Sequence, residues 1–168
     1  MRTYVLATRR FWLGTALAAG AWPRIASPGL DARGMEGADL LYLCAHGLPD
    51  QPYLYDDAFQ TVLAADDVAR LDLTGAVVYL AGCYGAGAMA EAFLAAGARF
   101  VVGDRESTFA GHFLPLGSNR LGWHFVRALR RGLPPYAALD EAAARFARTM
   151  SEHGDESVLD SVVAVGAG

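Results

Sequence analysis

The chain has 168 residues, 54% hydrophobic and 19% charged, with a formal net charge of -4. These values describe one globular domain, 1–168, and exclude a disordered chain or a pair of domains with separate cores. The acidic balance and the lack of a basic block argue against nucleic acid as a partner, and no apolar run reaches the roughly 18 residues that span a bilayer. We therefore expect a protein that binds neither nucleic acid nor membrane.

The N-terminal segment 1–22 has two interpretations. A β-competent run at 3–8, followed by an apolar stretch, predicts a first strand and a helix over 9–21. The alternative is a twin-arginine export signal, because Arg9 and Arg10 precede the same apolar stretch. We favour the strand and helix, because an export signal does not require the β-competent residues ahead of the arginines.

Apolar runs and helical patterns alternate along the rest of the chain. After a short strand or loop at 23–29, buried strands are predicted at 40–45, 76–81, 99–102 and 162–165. Helices are predicted at 64–71, 88–96, 121–131 and 134–148. Loops are predicted at 105–117 and 151–157. This alternation predicts a three-layer α/β/α sandwich with a mostly parallel sheet of about six strands.

Two consecutive buried strands end in reactive side chains, His46 and Cys83, each beside a glycine. Functional groups of open α/β sheets collect at the carboxyl ends of strands, and neighbouring strands lie about 5 Å apart. We therefore expect the imidazole and the thiol to face one small volume, as nucleophile and proton carrier for acyl transfer. The N–H groups of Gly47 and Cys83 are expected to stabilise a developing oxyanion.

The two cysteines, Cys44 and Cys83, lie outside any CxxC pair. Cys44 is assigned to the core, because it lies inside an apolar run. A disulfide between them is one alternative, but we favour a working thiol in a reducing compartment and hence a cytoplasmic protein. The histidines show no ligand spacing, so no metal and no other cofactor is expected, and His112, His124 and His153 are assigned to packing or surface positions.

An ordered series of segments resembles the CHAT branch of the caspase-like cysteine peptidases, whose clan includes caspases, separases and gingipains. LYLCAHG at 41–47 and VVYLAGC at 77–83 carry the His and Cys of the family pattern. The resemblance continues from 39 to 166 through LAADDVARLDL at 63–73, AFLAAGARFVV at 92–102, FVRALRRG at 125–132, AAL at 137–139 and VAVG at 163–166. It implies a caspase-like fold.

The resemblance also implies a cysteine endopeptidase that hydrolyses peptide bonds of a protein partner in bacterial defence or regulated cell death. Cys83 matches the family nucleophile and His46 the family histidine, with no third catalytic residue required. Segment 104–108 stands where the family has a segment that shapes the pocket for the residue before the cut. Asp104 or Glu106 would there favour a basic residue. An activating partner protein is left open.

Two other interpretations remain. The first is an inactive caspase-like module that binds protein partners through the same cleft. The second is an amidotransferase or hydrolase with a nucleophile elbow at Gly82-Cys83-Tyr84-Gly85, which is disfavoured because Ala81 occupies a position where the elbow needs glycine.

Overall fold

The computed structural model describes residues 1–150 and 157–166. Within these ranges the strands are β1 (Thr3–Ala7), β2 (Arg24–Ile25), β3 (Leu40–Cys44), β4 (Tyr53–Tyr55), β5 (Thr61–Ala64), β6 (Val77–Leu80), β7 (Phe100–Asp104) and β8 (Val162–Gly166). The α-helices are α1 (Trp12–Ala19), α2 (Ala65–Val68), α3 (Ala88–Ala95), α4 (Ser118–Arg130), α5 (Pro135–Met150) and α6 (Ser157–Ser161). None of these helices is both long enough and apolar enough to cross a membrane.

Six strands form the central sheet in the order β2, β1, β3, β6, β7, β8. All neighbours are parallel except β7 and β8, which are antiparallel. Strands β3 and β6 are direct neighbours, with Leu41 opposite Val78 and Leu43 opposite Leu80. The mostly parallel sheet confirms the fold class predicted from the sequence, and β3 and β6 deliver their carboxyl ends to the same edge.

Each face of the sheet carries its own hydrophobic core. Leu41 and Val78 point to one face and pack with residues of α2 and α3. Tyr42 and Tyr79 point to the other face and pack with residues of α1, α4 and α5, among them the fully buried Phe125. Because helices cover both faces, the central strands are apolar at every position and not only at alternate ones. The arrangement is a three-layer α/β/α sandwich.

Helix α4 approaches the sheet closely because residue 122 is glycine. A Cβ atom at Gly122 would overlap the hydroxyl of Tyr42 and the ring of Tyr79. The two tyrosine rings stack 5.1 Å apart and donate hydrogen bonds to α4, Tyr42 to Oδ1 of Asn119 at 2.8 Å and Tyr79 to the carbonyl of Ser118 at 2.7 Å. The first turn of α4 thus provides hydrogen-bond acceptors for two buried phenol hydroxyls, whose burial without a partner would cost free energy.

Some elements differ from the sequence expectation. The helix predicted over 9–21 begins as a short 3-10 turn, Arg9–Phe11, and becomes α-helical from Trp12. Strand β7 extends to Asp104, two residues beyond its predicted end. The antiparallel hairpin of β4 and β5 and the short helix α6 were not predicted. The acidic loop predicted over 151–157 lies, except for its last residue, outside the described residues.

Candidate functional site

The sheet has a topological switch point between β1 and β3. From β1 the chain first moves outward to β2 and then returns to β3 on the other side. Ligands of open α/β sheets bind in the crevice where the strand order reverses in this way. A cavity of about 360 Å³ lies here, lined by Arg10, Phe11, Ala45, His46, Ala81, Gly82, Cys83, Thr108, Phe109, Ala110 and His112.

His46 lies two residues beyond the end of β3, and its backbone is fixed by a two-way pairing with Tyr55. The His46 N–H donates to the Tyr55 carbonyl at 3.1 Å, and the Tyr55 N–H donates back at 2.8 Å. The imidazole contacts two aromatic rings, with centroids 5.1 Å from Phe59 and 5.4 Å from Phe11. The side chain is 20% exposed, so its ring is restrained by packing and still reachable from the cavity.

Cys83 lies in the turn between β6 and α3 and is a half-buried free thiol. Its Sγ accepts a hydrogen bond from the N–H of Thr108 at 3.3 Å and lies 3.4 Å from the Thr108 carbonyl. The Ser107 hydroxyl lies 3.5 Å from the sulfur. Segment 105–117 therefore holds the sulfur at the cavity wall. Among the described residues, no hydrogen bond joins this sulfur to the His46 ring.

Glycines bring the loops after β3 and β6 into backbone contact. A Cβ atom on Gly47 would overlap the carbonyl oxygen of Cys83, and one on Gly82 would overlap the carbonyl oxygen of Ala45. Within residues 1–150 and 157–166, no group accepts a hydrogen bond from the N–H of Gly47 or of Cys83. Of these two residues, Cys83 lines the cavity and Gly47 does not, so the oxyanion role of their N–H groups stays a prediction.

The turn that carries the thiol has an unusual backbone. Tyr84 has φ 56°, in the left-handed region that non-glycine residues rarely occupy, and Asp50 and Phe59 have similar values. Such conformations cost free energy and concentrate at functional sites. All three residues lie in loops that follow β3 or β6 or join β4 to β5, at the edge of the sheet that carries His46 and Cys83.

Asp57 was not predicted from the sequence and contacts the candidate histidine directly. Its Oδ1 lies 3.3 Å from Nε2 of His46, and its Oδ2 accepts a hydrogen bond from the N–H of Arg10 at 3.0 Å. Partial burial alone would raise the pKa of the Asp57 carboxyl, but the nearby Thr8 hydroxyl, the Arg10 N–H and His46 lower it below its usual value. His112, which was assigned to a packing or surface position, also lines the cavity.

Asp104 does not lie where its expected role requires, and that expectation is corrected. The residue is 2% exposed, and its carboxyl accepts a hydrogen bond from the Ser161 hydroxyl at 3.0 Å. Burial raises the pKa of this carboxyl to about 7, against the smaller opposing effects of Ser161 and Thr108. Because β7 extends through Asp104 and β8 pairs with it, the carboxyl belongs to the interior and does not face a substrate.

Glu106 is exposed and contributes its backbone carbonyl to the turn, where it accepts a hydrogen bond from the Tyr84 N–H at 3.1 Å. It lines neither the cavity at His46 nor a second one of about 500 Å³ nearby. The second cavity lies beside the Cys83 turn and is lined by Leu48, Pro49, Asp50, Gln51, Tyr84, Ala86, Gly87, Ala88 and Arg105. Arg105 and Asp50 are thus the charged side chains that the structure places there.

Cys44 is placed as predicted. It is fully buried, and the Asn119 amide lies 3.9 Å from its sulfur. Burial raises the pKa of the Cys44 thiol to about 12. Both cysteines are free, so the alternative of a disulfide between them is not realised. The chain therefore offers a half-buried thiol at the cavity and a fully buried one in the core as its internal reference.

A scan against protein-family models finds no match for this chain, and a search of the curated proteins finds none either. The geometry alone brings together a thiol and an imidazole with a carboxylate behind it. These are the groups that acyl transfer through a covalent intermediate uses.

Proposed function

We propose that this protein is a cysteine peptidase of the caspase-like type, in which Cys83 is the nucleophile and His46 the general acid and base. The observation that carries the proposal is that both side chains, delivered by the adjacent strands β3 and β6, line one cavity of about 360 Å³. The resemblance of the segments around both residues to the CHAT pattern supports the same assignment.

In the proposed reaction, the Cys83 sulfur attacks the carbonyl carbon of a peptide bond after its proton has passed to His46. The N–H groups of Gly47 and Cys83 donate to the resulting oxyanion. The carbon–nitrogen bond then breaks, and the proton on His46 goes to the departing amine. Water, deprotonated by His46, hydrolyses the thioester and releases the acid and the free thiol.

The proposed substrate is a protein or peptide. Segment 105–117 forms part of the cavity wall through Phe109, which is 51% exposed, and continues to Phe113 and Leu114, which are 74% and 61% exposed. The second cavity continues the edge beyond the Cys83 turn and offers Arg105 and Asp50 to charged side chains. We place the activity in the cytoplasm, where a free thiol persists. The resemblance implies a role in bacterial defence or regulated cell death. Activation by a partner protein is left open.

Cleavage of a peptide library tests the reaction class. The wild-type chain is compared with Cys83→Ala and with the matched variant Cys44→Ala, which removes the buried thiol instead. We expect cleavage by the wild type, retention of cleavage in Cys44→Ala, and loss in Cys83→Ala. His46→Ala should lower the rate by at least about a hundredfold, the usual contribution of a positioned proton carrier. Cleavage that persists in Cys83→Ala would overturn the proposal.

Thiol alkylation tests the site without a known substrate. Cys83 should be alkylated near neutral pH much faster than Cys44, because Cys44 is fully buried and burial raises its pKa to about 12. The labelling of Cys83 should be slower in His46→Ala. Equal and slow labelling of both cysteines would instead support an inactive module that binds partners.

That inactive module is the second candidate function, and one observation favours it. The Cys83 sulfur is already engaged by the backbone of Thr108, and exposed Phe113 and Leu114 lie on the same segment. A chain that binds a peptide with equal affinity in the wild type and in Cys83→Ala, and cuts it in neither, would assign this function.

A further inference from the structure

The His46 ring is held by a carboxylate that bridges two loops. Oδ1 of Asp57 lies 3.3 Å from Nε2 of His46, while Oδ2 accepts a hydrogen bond from the N–H of Arg10 at 3.0 Å. Arg10 belongs to the 3-10 turn Arg9–Phe11 after β1, and Asp57 to the turn between β4 and β5. The carboxylate therefore connects the histidine to a third segment of backbone. The His46 and Asp57 side chains are 20% and 35% exposed, so the pair lies at the rim of the cavity.

The turn that presents Asp57 is itself well ordered by hydrogen bonds. Oδ1 of Asp56 accepts from the N–H groups of Ala58 and Gln60, both at 2.9 Å, and the Asp56 N–H donates to the Gln60 carbonyl at 3.0 Å. Phe59 takes a left-handed conformation, φ 57°, and its ring stacks on the His46 imidazole. The same turn thus supplies a carboxylate to the edge of the imidazole and an aromatic ring to its face.

The contact with Asp57 determines which ring nitrogen of His46 carries the hydrogen in the neutral imidazole. Because Asp57 is an ionised carboxylate with its pKa lowered, it can only accept, so Nε2 of His46 carries the hydrogen. In the neutral ring Nδ1 then bears the lone pair that takes up a proton. The charged or titratable side chains that share this setting are Arg10, Cys83 and His112, which line the cavity, and Asp57 behind the ring.

We propose that Asp57 is the positioning residue of His46: it fixes the imidazole in the tautomer with hydrogen on Nε2 and stabilises the imidazolium formed when Nδ1 takes a proton. This inference rests on the proposed function, because it gives His46 its orientation for proton transfer. It adds a third member to a site for which the family resemblance implies only two. Asp57 acts through His46 and has no direct contact with the reacting sulfur among its described hydrogen bonds.

The tautomer of His46 is the direct test, read from the ¹⁵N chemical shifts of the ring in the intact chain. The resonances are assigned by comparison with His46→Gln. The variant is Asp57→Asn, which keeps an oxygen for the Arg10 N–H but removes the charge and offers a competing amide donor. The matched control is Asp56→Asn, which removes the same charge one residue away and can retain the turn hydrogen bonds.

We expect one tautomer with hydrogen on Nε2 in the wild type and in Asp56→Asn, and a mixture of two tautomers in Asp57→Asn. A wild-type ring with hydrogen on Nδ1, or an unchanged spectrum in Asp57→Asn, would overturn the proposal. Near-ultraviolet circular dichroism verifies that Asp57→Asn remains folded. If that variant does not fold, the wild-type tautomer alone decides, because the proposal requires Nε2 to carry the hydrogen.

A kinetic measurement separates this proposal from the proposed peptidase activity. On any peptide that the wild type cleaves, Asp57→Asn should lower kcat by about tenfold to a hundredfold with little change in KM, because orientation affects the chemical step. If no peptide is cleaved but the tautomers follow the expectation, the peptidase proposal fails and the assignment of Asp57 stands. Cleavage with equal kcat in wild type and Asp57→Asn would overturn the assignment of Asp57 alone.

Discussion

The buried carboxyl of Asp104 gives a stability prediction that does not depend on the proposed function. Asp104 is the last residue of β7 and is 2% exposed, and burial raises the pKa of its carboxyl to about 7 from an ordinary value of 3.8. Between these two pH values the folded chain retains a proton that the unfolded chain has lost. The free energy of unfolding must therefore fall as the pH rises through this window, and the stabilising state is the protonated one at low pH.

The substitution Asp104→Asn removes this titration and keeps an oxygen for the Ser161 hydroxyl, which donates to Asp104 at 3.0 Å. One pH unit corresponds to about 1.4 kcal/mol, so the full window of about three units is worth up to about 4 kcal/mol. Between pH 5 and pH 8 about two of these units are crossed. The variant should therefore gain up to about 3 kcal/mol relative to the wild type over that interval.

Urea unfolding at pH 5 and pH 8 measures the effect, with Asp140→Asn on the exposed side of α5 as the control. The quantity of interest is the stability of Asp104→Asn minus that of the wild type, because other titrating groups cancel in this difference. A gain of about 3 kcal/mol corresponds to a rise in Tm of about 6–12 °C for a chain of this size. If the difference is the same at both pH values, or if Asp140→Asn shows it equally, the assignment of a buried, protonated Asp104 is refuted.

Three further predictions follow from close packing and burial. Gly122→Ala should destabilise the fold by about 1–3 kcal/mol in urea unfolding, because its Cβ would overlap the Tyr42 hydroxyl, and an unchanged midpoint would contradict this packing. Gly82→Ala, whose Cβ would overlap the Ala45 carbonyl, should change the alkylation rate of Cys83 at least severalfold, and equal rates would show that the loops do not need this contact. Burial and nearby arginines lower the pKa of His124 to about 4, so the free energy of unfolding should decrease as the pH falls below 6.5. The variant His124→Gln should lose less stability than the wild type between pH 7 and pH 5. The same pH dependence of stability in both proteins would refute this prediction.

The layers of the fold were predictable because burial on both faces leaves a clear mark in the sequence. Strands such as β3 and β6 are apolar at every position, and a helix that lies against them shows a 3.6-residue pattern. The hairpin of β4 and β5 shows no such pattern in the sequence. Its strands have three and four residues, and it is held by the backbone pairing of Tyr55 with His46, which is a tertiary contact.

The candidate site was predictable in part. His46 and Cys83 follow adjacent strands, and the rule that parallel strands present their carboxyl ends at one edge was enough to bring them to one cavity. Asp57 could not be found in this way, because its approach to His46 depends on a hairpin that the pattern did not reveal. Asp104 was misplaced for a related reason: β7 extends two residues beyond its apolar run, and pairing with β8 turns a presumed loop acid into an interior one.

The spacing of the site is set by main-chain contacts more than by the reactive side chains. Gly47 faces the carbonyl of Cys83, Gly82 faces the carbonyl of Ala45, and a Cβ on Gly103 at the end of β7 would crowd the backbone of Gly85. A glycine thus lies at or just beyond the end of each of three neighbouring strands and lets the next loop pack directly against it. A backbone contact cannot relax by changing rotamer, so these contacts fix the spacing of the two loops that carry His46 and Cys83. The orientation of the imidazole is then determined by the carboxylate and the aromatic rings around it.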